Sequence, residues 1–290
     1  MTGVRRIPNG NPIPRGVGLF TGKQTSVRIE RDVLGTGLNF RRTDLPDKPT
    51  IAATLANLCR RAVHPAFERL PPRCTSLELP GSNRIGIATV EHILSALVGL
   101  GITDARVDVE GEEIPIGDGS AAFIVEAILA SGTTDHLAPL EPIIVSRPLS
   151  VSDSSGARID AEPSDRPRYT YHLDYGPASP IPPQSATWGG DPDDYAANIA
   201  PARTFCLEEE ARAMQALGLF KALTPRDMLV FGPRGPIDNT LRFPNEPARH
   251  KLLDLIGDLA FAGRPIQGRI TATRSGHALN HEMARLLAGL

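Results

Sequence analysis

Hydrophobic and polar positions alternate with period two over "DARVDVEG", the pattern of a strand with one buried face. An earlier stretch, "GVGLFTGKQTSVRIERDVLGTGLNFRRTD", interrupts short runs of this kind with glycine turns and predicts antiparallel strands. Elsewhere the spacing becomes helical. A helix is expected around "TIAATLANLCRRAV". Another is expected over "TVEHILSALVGLG", with Thr89 as N-cap, an apolar stripe of Ile93, Leu94, Leu97, Val98 and Leu100, and Gly101 as the stop. After the strand "DARVDVEG" come the turn "IPIGDGS" and a helix, "AAFIVEAILASG".

The C-terminal end follows the same order. "RHKLLDLIGDLAFAG" reads as a helix ending at Gly263, "IQGRITATRSG" contains a strand, and "HALNHEMARLLAGL" is a final helix with Leu279, Met283, Leu286 and Leu287 on one face. Helix, glycine, strand, turn, helix thus occurs twice, which points to duplication and to two similar α+β domains. Turn formers and prolines in "SGTTDHLAPLEP" place the boundary there. The expected division is 1–136, carrying the Glu91/His92 helix, and 137–290, carrying the His250/Asp254 helix and the His277 turn. A Pro-, Gly- and Ser-rich stretch at 176–194 reads as a surface loop inside the second domain.

Composition narrows the class. Hydrophobic content of 41% and charged content of 22% over 290 residues are globular values. A net charge of −2 gives no general attraction to nucleic acid or anionic lipid. Cys59, Cys74 and Cys206 show no CxxC spacing, which fits a reducing cytoplasm. The N-terminus lacks the apolar core of a signal peptide, and the apolar run "ILSALVGLGI" is too short to span a bilayer. The expectation is a cytoplasmic protein with no transmembrane segment and at most peripheral membrane contact.

The chemistry concentrates in "RHKLLDLIGD". His250, Asp254 and Asp258 repeat every fourth residue and stack on one side of a helix. A His and a carboxylate at i and i+4 can reach one metal ion, or can form an ordinary surface pair. In the other copy, "TVEH" puts Glu91 and His92 at the corresponding early position. If the helix layers meet, His92 completes a His, His, Asp set with a fourth position left for water, as in catalytic zinc sites. Glu91 then suits a general base, although a first-turn carboxylate also favours the helix dipole. His277, at the turn "RSGHALN", could act as a general acid with Asp258 orienting it. Lys251 could hold a phosphate. In "ARTF", Thr204 could donate to an oxyanion and Phe205 could stack on a sugar or base. Arg41 and Arg42 read as solvated strand-end charges, and His64, His136, His172 and His281 as structural or exposed.

Together "GVGL.TGK", "RRTDL", "TVEHILSALVGLGI", "EIPIGDGSAA", "ARTF", "LRF", "RHKLLDLIGD" and "SGHALN" resemble the zinc-dependent UDP-3-O-acyl-N-acetylglucosamine deacetylases of lipid A biosynthesis. The motifs run in the family's order from residue 16 to residue 280. The resemblance implies helices sandwiched between two outer sheets, a β-α-α-β layering. It implies zinc on His92, His250 and Asp254, with ferrous iron also fitting these ligands. Glu91 would be the general base, His277 the general acid or electrostatic stabiliser backed by Asp258, and Thr204 the oxyanion donor. Phe205 would contact the glucosamine and Lys251 the diphosphate, and Cys74 matches a family cysteine near the metal. Phe20 stands where the family has His. Ala222 and Leu223 stand at a family glycine pair that lets the acyl chain pass, so Leu223 is expected to touch and obstruct that path. The implied partner is a UDP-linked acylated amino sugar, with a monomer favoured. The alternatives are a divergent paralogue acting on a different or shorter-acyl amino sugar, and a non-catalytic zinc-binding protein.

Overall fold

The structure is a computed structural model that describes residues 3–62, 65, 68, 72–82, 85–220, 224–225 and 227–290. Two five-stranded sheets dominate it. The first runs, edge to edge, through Asn11–Val17, Gln24–Glu30, Ala105–Glu110, Leu38–Arg42 and Thr50–Ala52. The second runs through Leu149–Ser152, Arg158–Glu162, Arg269–Thr273, Arg168–Leu173 and Gln184–Trp188. Counted along the chain, both sheets have the order first, second, fifth, third, fourth. In both, the fifth strand pairs parallel with the third, and the other pairs are antiparallel. The repeat read from element order therefore extends to strand order and direction, in a mixed α+β fold.

A parallel pair needs a long crossover, and each crossover carries a helix. In the first sheet it is α1 (Glu91–Gly99), in the second α5 (Glu246–Leu259). The helices α2 (Ala122–Ser131) and α6 (His277–Ala288) follow the fifth strands. A single turn, α3 (Pro192–Asp194), and the helix α4 (Glu208–Ala216) belong to the second half. One apolar core draws residues from both sheets and from α1, α2, α5 and α6. In it α5 lies against Arg168–Leu173 and Gln184–Trp188 and meets α1 and α6.

Two glycines let the helices close up. A Cβ at Gly257 would sit 2.1 Å from the Glu91 carbonyl oxygen, and one at Gly99 would sit 2.4 Å from the Tyr195 ring. Tyr195 is buried and donates through its hydroxyl to Ser95 Oγ at 2.8 Å. The start of α1 is thus pressed onto the last turns of α5.

Several expectations change. "TIAATLANLCRRAV" is not one helix: Thr50–Ala52 forms the edge strand of the first sheet, and a 3₁₀ turn follows at Leu55–Asn57. The β-branched pair Thr50 and Ile51 gains ladder partners at Asn39–Arg41, and Ile51 is buried, so sheet pairing overrides the local helical pattern. The 176–194 stretch is a loop only in its first half. Gln184–Trp188 is an edge strand of the second sheet, with Ala186 and Trp188 buried on alternate positions. On α6, Leu279, Met283 and Leu287 face the core but Leu286 is exposed. Arg42 is buried, pairs with Asp44 at 2.7 Å and donates to the Gly86 carbonyl, while Arg41 pairs with Asp108, so neither is a solvated strand end. Thr133–Leu140, which straddles positions 136 and 137, pairs antiparallel with Gly3–Pro8. Leu223, Ala222 and His64 lie outside the described residues.

Candidate active site

The i, i+4 spacing on α5 does what geometry requires. His250, Asp254 and Asp258 face α1 and α6, and all three are buried. From α1, His92 meets them. His92 Nε2 is 3.6 Å from Asp254 Oδ1, and His250 Nε2 is 3.4 Å from the same oxygen. The two imidazoles stand edge to face with centroids 5.0 Å apart. One donor atom from each of the three residues lies within 4.8 Å of the others. Donors of a tetrahedral zinc site, each about 2.0–2.1 Å from the ion, stand about 3.3–3.4 Å apart, so this set fits one divalent ion.

Protonation agrees. The Ala202 carbonyl can only accept, so His250 Nδ1 donates to it at 3.1 Å and leaves the Nε2 lone pair for an ion. Burial pushes the His250 imidazole down to about 3, against the opposing pull of Asp254. Burial also disfavours the Asp254 carboxylate, but Lys251, then His250 and His92, outweigh it and hold Asp254 well below the usual carboxylate range. Lys251 Nζ donates to Asp254 Oδ2 at 2.9 Å.

Beside this set lies a second one. Glu91 is buried at the start of α1, and its Oε2 accepts the Thr75 backbone N–H at 2.9 Å. Burial raises its carboxyl above the ordinary value, against the nearby His277 and His92. Asp258 is fully buried and accepts on both oxygens: Thr75 Oγ1 at 2.5 Å on Oδ1, and His277 Nδ1 and Asn280 Nδ2, each at 2.8 Å, on Oδ2, while His281 Nε2 stands 3.3 Å from Oδ1. Burial works against the Asp258 charge, yet the imidazoles of His277 and His281 hold its carboxyl below the usual range. Burial likewise disfavours the His277 imidazolium, but Asp258, with Glu91 and Asp254 behind it, outweighs this and lifts His277 to about 9. A carboxyl of raised proton affinity and an imidazole that holds its proton therefore stand beside a trio that could hold an ion.

The "ARTF" segment anchors the start of α5. Arg203 is buried and pairs with the fully buried Glu246 at 2.8 Å, while also donating to Asn239 and the Thr240 carbonyl. That pair fixes Ala202, whose carbonyl orients His250. The Phe205 ring stands 6.2 Å from the His250 ring and 6.0 Å from Lys251 Nζ. The Thr204 backbone N–H donates to the Gly119 carbonyl at 2.7 Å, and its hydroxyl makes no hydrogen bond among the described residues. Thr204, Phe205, Phe20 and Phe220 help line a small apolar cavity of about 80 Å³. A larger cavity of about 490 Å³, lined by Leu38, Tyr169, Trp188 and Ile256 among others, contains none of these site residues.

Eight expected site residues thus cluster, Glu91, His92, Phe205, His250, Lys251, Asp254, Asp258 and His277, and Thr204 precedes Phe205 at the small cavity. Cys74 is buried with Leu19, Phe20 and Ile116 and is not among the three residues grouped for an ion, and burial, with Glu91 nearby, pushes its thiol up. Thr89 is not an N-cap. Val90 holds that place, and Thr89, at φ +60°, donates its hydroxyl to Glu113 at 3.1 Å. The buried Glu113 also accepts the backbone N–H groups of Phe20 and Thr21, so "EIPIGDGS" ties the "GLFTG" loop to the entry of α1. His281 corrects the reading of it as an imidazole without company. Its spacing of four from His277 on one helix was the available signal. Thr75 carried no periodic signal.

Over residues 12–289 the chain matches the family model for UDP-3-O-acyl N-acetylglycosamine deacetylase. It is 37% identical over 276 residues to a UDP-3-O-acyl-N-acetylglucosamine deacetylase of Synechocystis sp., covering 94% of this chain and 95% of that protein. Proteins of the same name from Nostoc sp. and Anaeromyxobacter sp. are each 36% identical, covering 95% and 93% of this chain and 95% and 84% of theirs. With the buried His, His, Asp trio, the neighbouring carboxylate and the duplicated sheets in place, this extent of match shows that the chain belongs to the UDP-3-O-acyl N-acetylglycosamine deacetylase family.

Proposed function

We propose that the chain removes the acetyl group from the 2-amino position of a UDP-3-O-acyl-N-acetylglucosamine in lipid A biosynthesis. The observation that carries this reading is the pairing of a buried His, His, Asp trio with a buried carboxylate of raised proton affinity. His92, His250 and Asp254 would hold the ion, which we assign as zinc, although two imidazoles and a carboxylate also suit ferrous iron. A bound divalent cation supplies Lewis acidity to the acetamide carbonyl and to the attacking water. Glu91 takes the proton of that water, aided by burial that keeps its carboxyl basic. Thr204 offers an unpaired hydroxyl to the oxyanion. His277, protonated near neutrality, gives its proton to the leaving amine while Asp258 holds its ring. Phe205 lies against the sugar and Lys251 meets the diphosphate. The natural setting we assign is the cytoplasm. No helix among the described residues is long and apolar enough to cross a membrane.

A shorter acyl preference is a second reading. It is supported by the small apolar cavity walled by Phe20 and Phe220, whose rings stand 5.9 Å apart, beside Thr204. Acetate release from a long-chain 3-O-hydroxyacyl substrate by zinc-loaded protein, with a chelated control, tests the main reading. Chelator-sensitive release is expected. No release by protein that holds one zinc would overturn it, and rates that peak with short or absent acyl chains would favour the second reading.

A further inference from the structure

We infer that His281 and Thr75 are positioning residues that set the proton affinity of His277 through the Asp258 carboxylate they share with it. This rests on the reading of His277 as proton donor. His277 and His281 are four residues apart on α6 and present their rings to the same side. There both reach one fully buried carboxylate, so its neighbours can be counted. A carboxylate offers about four lone-pair sites, and Asp258 has three of them hydrogen-bonded, by His277 and Asn280 on Oδ2 and by Thr75 on Oδ1, with His281 Nε2 3.3 Å from Oδ1 beside the fourth.

Proton positions follow from what each group can do. An ionised carboxylate only accepts, so the Thr75 hydroxyl gives its single proton to Asp258. Toward His281 Nε2, at 3.1 Å, Thr75 Oγ1 is then an acceptor, and that nitrogen carries a proton shared between Thr75 and Asp258. Phe261 stands edge-on to the His281 ring at 5.6 Å and fixes its plane. The same Thr75 holds Glu91 by its backbone N–H. One buried threonine therefore touches the base by its backbone N–H and the acid twice, through Asp258 at 2.5 Å and directly at 3.3 Å, where its hydroxyl oxygen faces His277 Nδ1.

Each donor on Asp258 draws charge from the oxygens that hold the His277 proton. The titratable groups around His277 are Asp258 and Asp254 from α5, Glu91 from α1, and His281 from its own helix; Thr75 and Asn280 do not titrate. The three carboxylates retain the proton, and His281 and Thr75 oppose them by occupying Asp258 Oδ1. The Thr75 oxygen also faces His277 Nδ1 at 3.3 Å, but its 2.5 Å bond to the carboxylate is the shorter and stronger of the two, so removing either residue makes His277 a weaker acid. A purely structural role would loosen the ring without moving its titration in that direction.

The experiment follows the His277 ring-proton resonance across pH in the full-length, zinc-loaded chain, assigned by its loss in His277→Asn. His281→Leu and Thr75→Val are expected to raise the midpoint by roughly one pH unit, the scale of one hydrogen bond to a charged group. Thr75→Ser, which keeps the hydroxyl, should stay at the wild-type midpoint. If Thr75→Val does not fold, His281→Leu carries the test, since the His281 side chain is 12% exposed and a leucine packs against Phe261. Folded variants whose midpoint is unchanged or lower would overturn the inference. The resonance does not depend on turnover, so a failed deacetylase reading and a failed positioning reading give different results.

Discussion

At the residue scale, burial makes ordinary side chains into reagents. Glu91 is within two residues of a helix start, where a carboxylate is common. What distinguishes it is enclosure beside His277 and His92, which the sequence expressed only as "TVEH". Glu91→Gln is expected to keep one zinc per chain by metal analysis and to lower kcat by about 10²- to 10⁴-fold, the usual span for loss of a general base. His277 makes a stability prediction. Its folded value of about 9 lies above the ordinary 6.5, so its proton favours the folded state. That gain is complete below about 6.5 and is lost as pH rises through about 9. The wild-type Tm should therefore fall across this window by several degrees more than that of His277→Asn, measured by calorimetry at matched pH values. Asp258 acts in the opposite sense: its contribution is present above the ordinary carboxylate value and is lost as pH falls below it. The i, i+4 comb of His250, Asp254 and Asp258 was legible because helix geometry fixes it. Thr75, Arg203 and Glu246 were not, because their partners are 16 to 206 residues away in sequence.

At the scale of elements, α1 and α5 are set by contact more than by caps. α1 begins at Val90 without a side-chain cap and α5 at Asn245 without one. Their relative placement comes from Gly257, which admits the Glu91 carbonyl where any Cβ would collide. Gly257→Ala is expected to cost about 1–3 kcal/mol in denaturant unfolding, as overpacking does. It should lower activity by more than stability alone explains, because Glu91 sits on one side of the contact and Asp258 on the other. Gly189→Ala, where a Cβ meets nothing within 4 Å, is the control and should be near neutral. Periodicity identified α1, α5, α6 and the strands "DARVDVEG" and "IQGRITATRSG", since each buries a face its own residues define. It failed over "TIAATLANLCRRAV", where the deciding partner is a strand at Asn39–Arg41, and over the end of the 176–194 stretch, where Trp188 pairs with Tyr169.

At the scale of the molecule, the ion-binding set is divided between the copies. His92 comes from the helix that crosses the first sheet, and His250 and Asp254 from the one that crosses the second. Sequence order alone suggested two similar halves; that their helices meet at one point is a tertiary fact no local pattern contains. Because neither half holds all three proposed ligands, an ion bound by them would link the halves as well as serve the proposed chemistry. An ion that binds only the folded chain stabilises it by about 2.7 kcal/mol at a hundredfold excess over Kd. For a chain of this size that corresponds to a rise in Tm on the order of 4–5 °C. Calorimetry of zinc-loaded and chelated protein should show this rise, with the chelated form melting at a lower temperature. His92→Ala leaves two ligands in one half and removes the link, so added zinc should then raise Tm far less than in the wild type. Equal zinc stabilisation in His92→Ala and wild type would mean that the second half binds the ion alone, and that the two copies meet through packing and not through a shared ion.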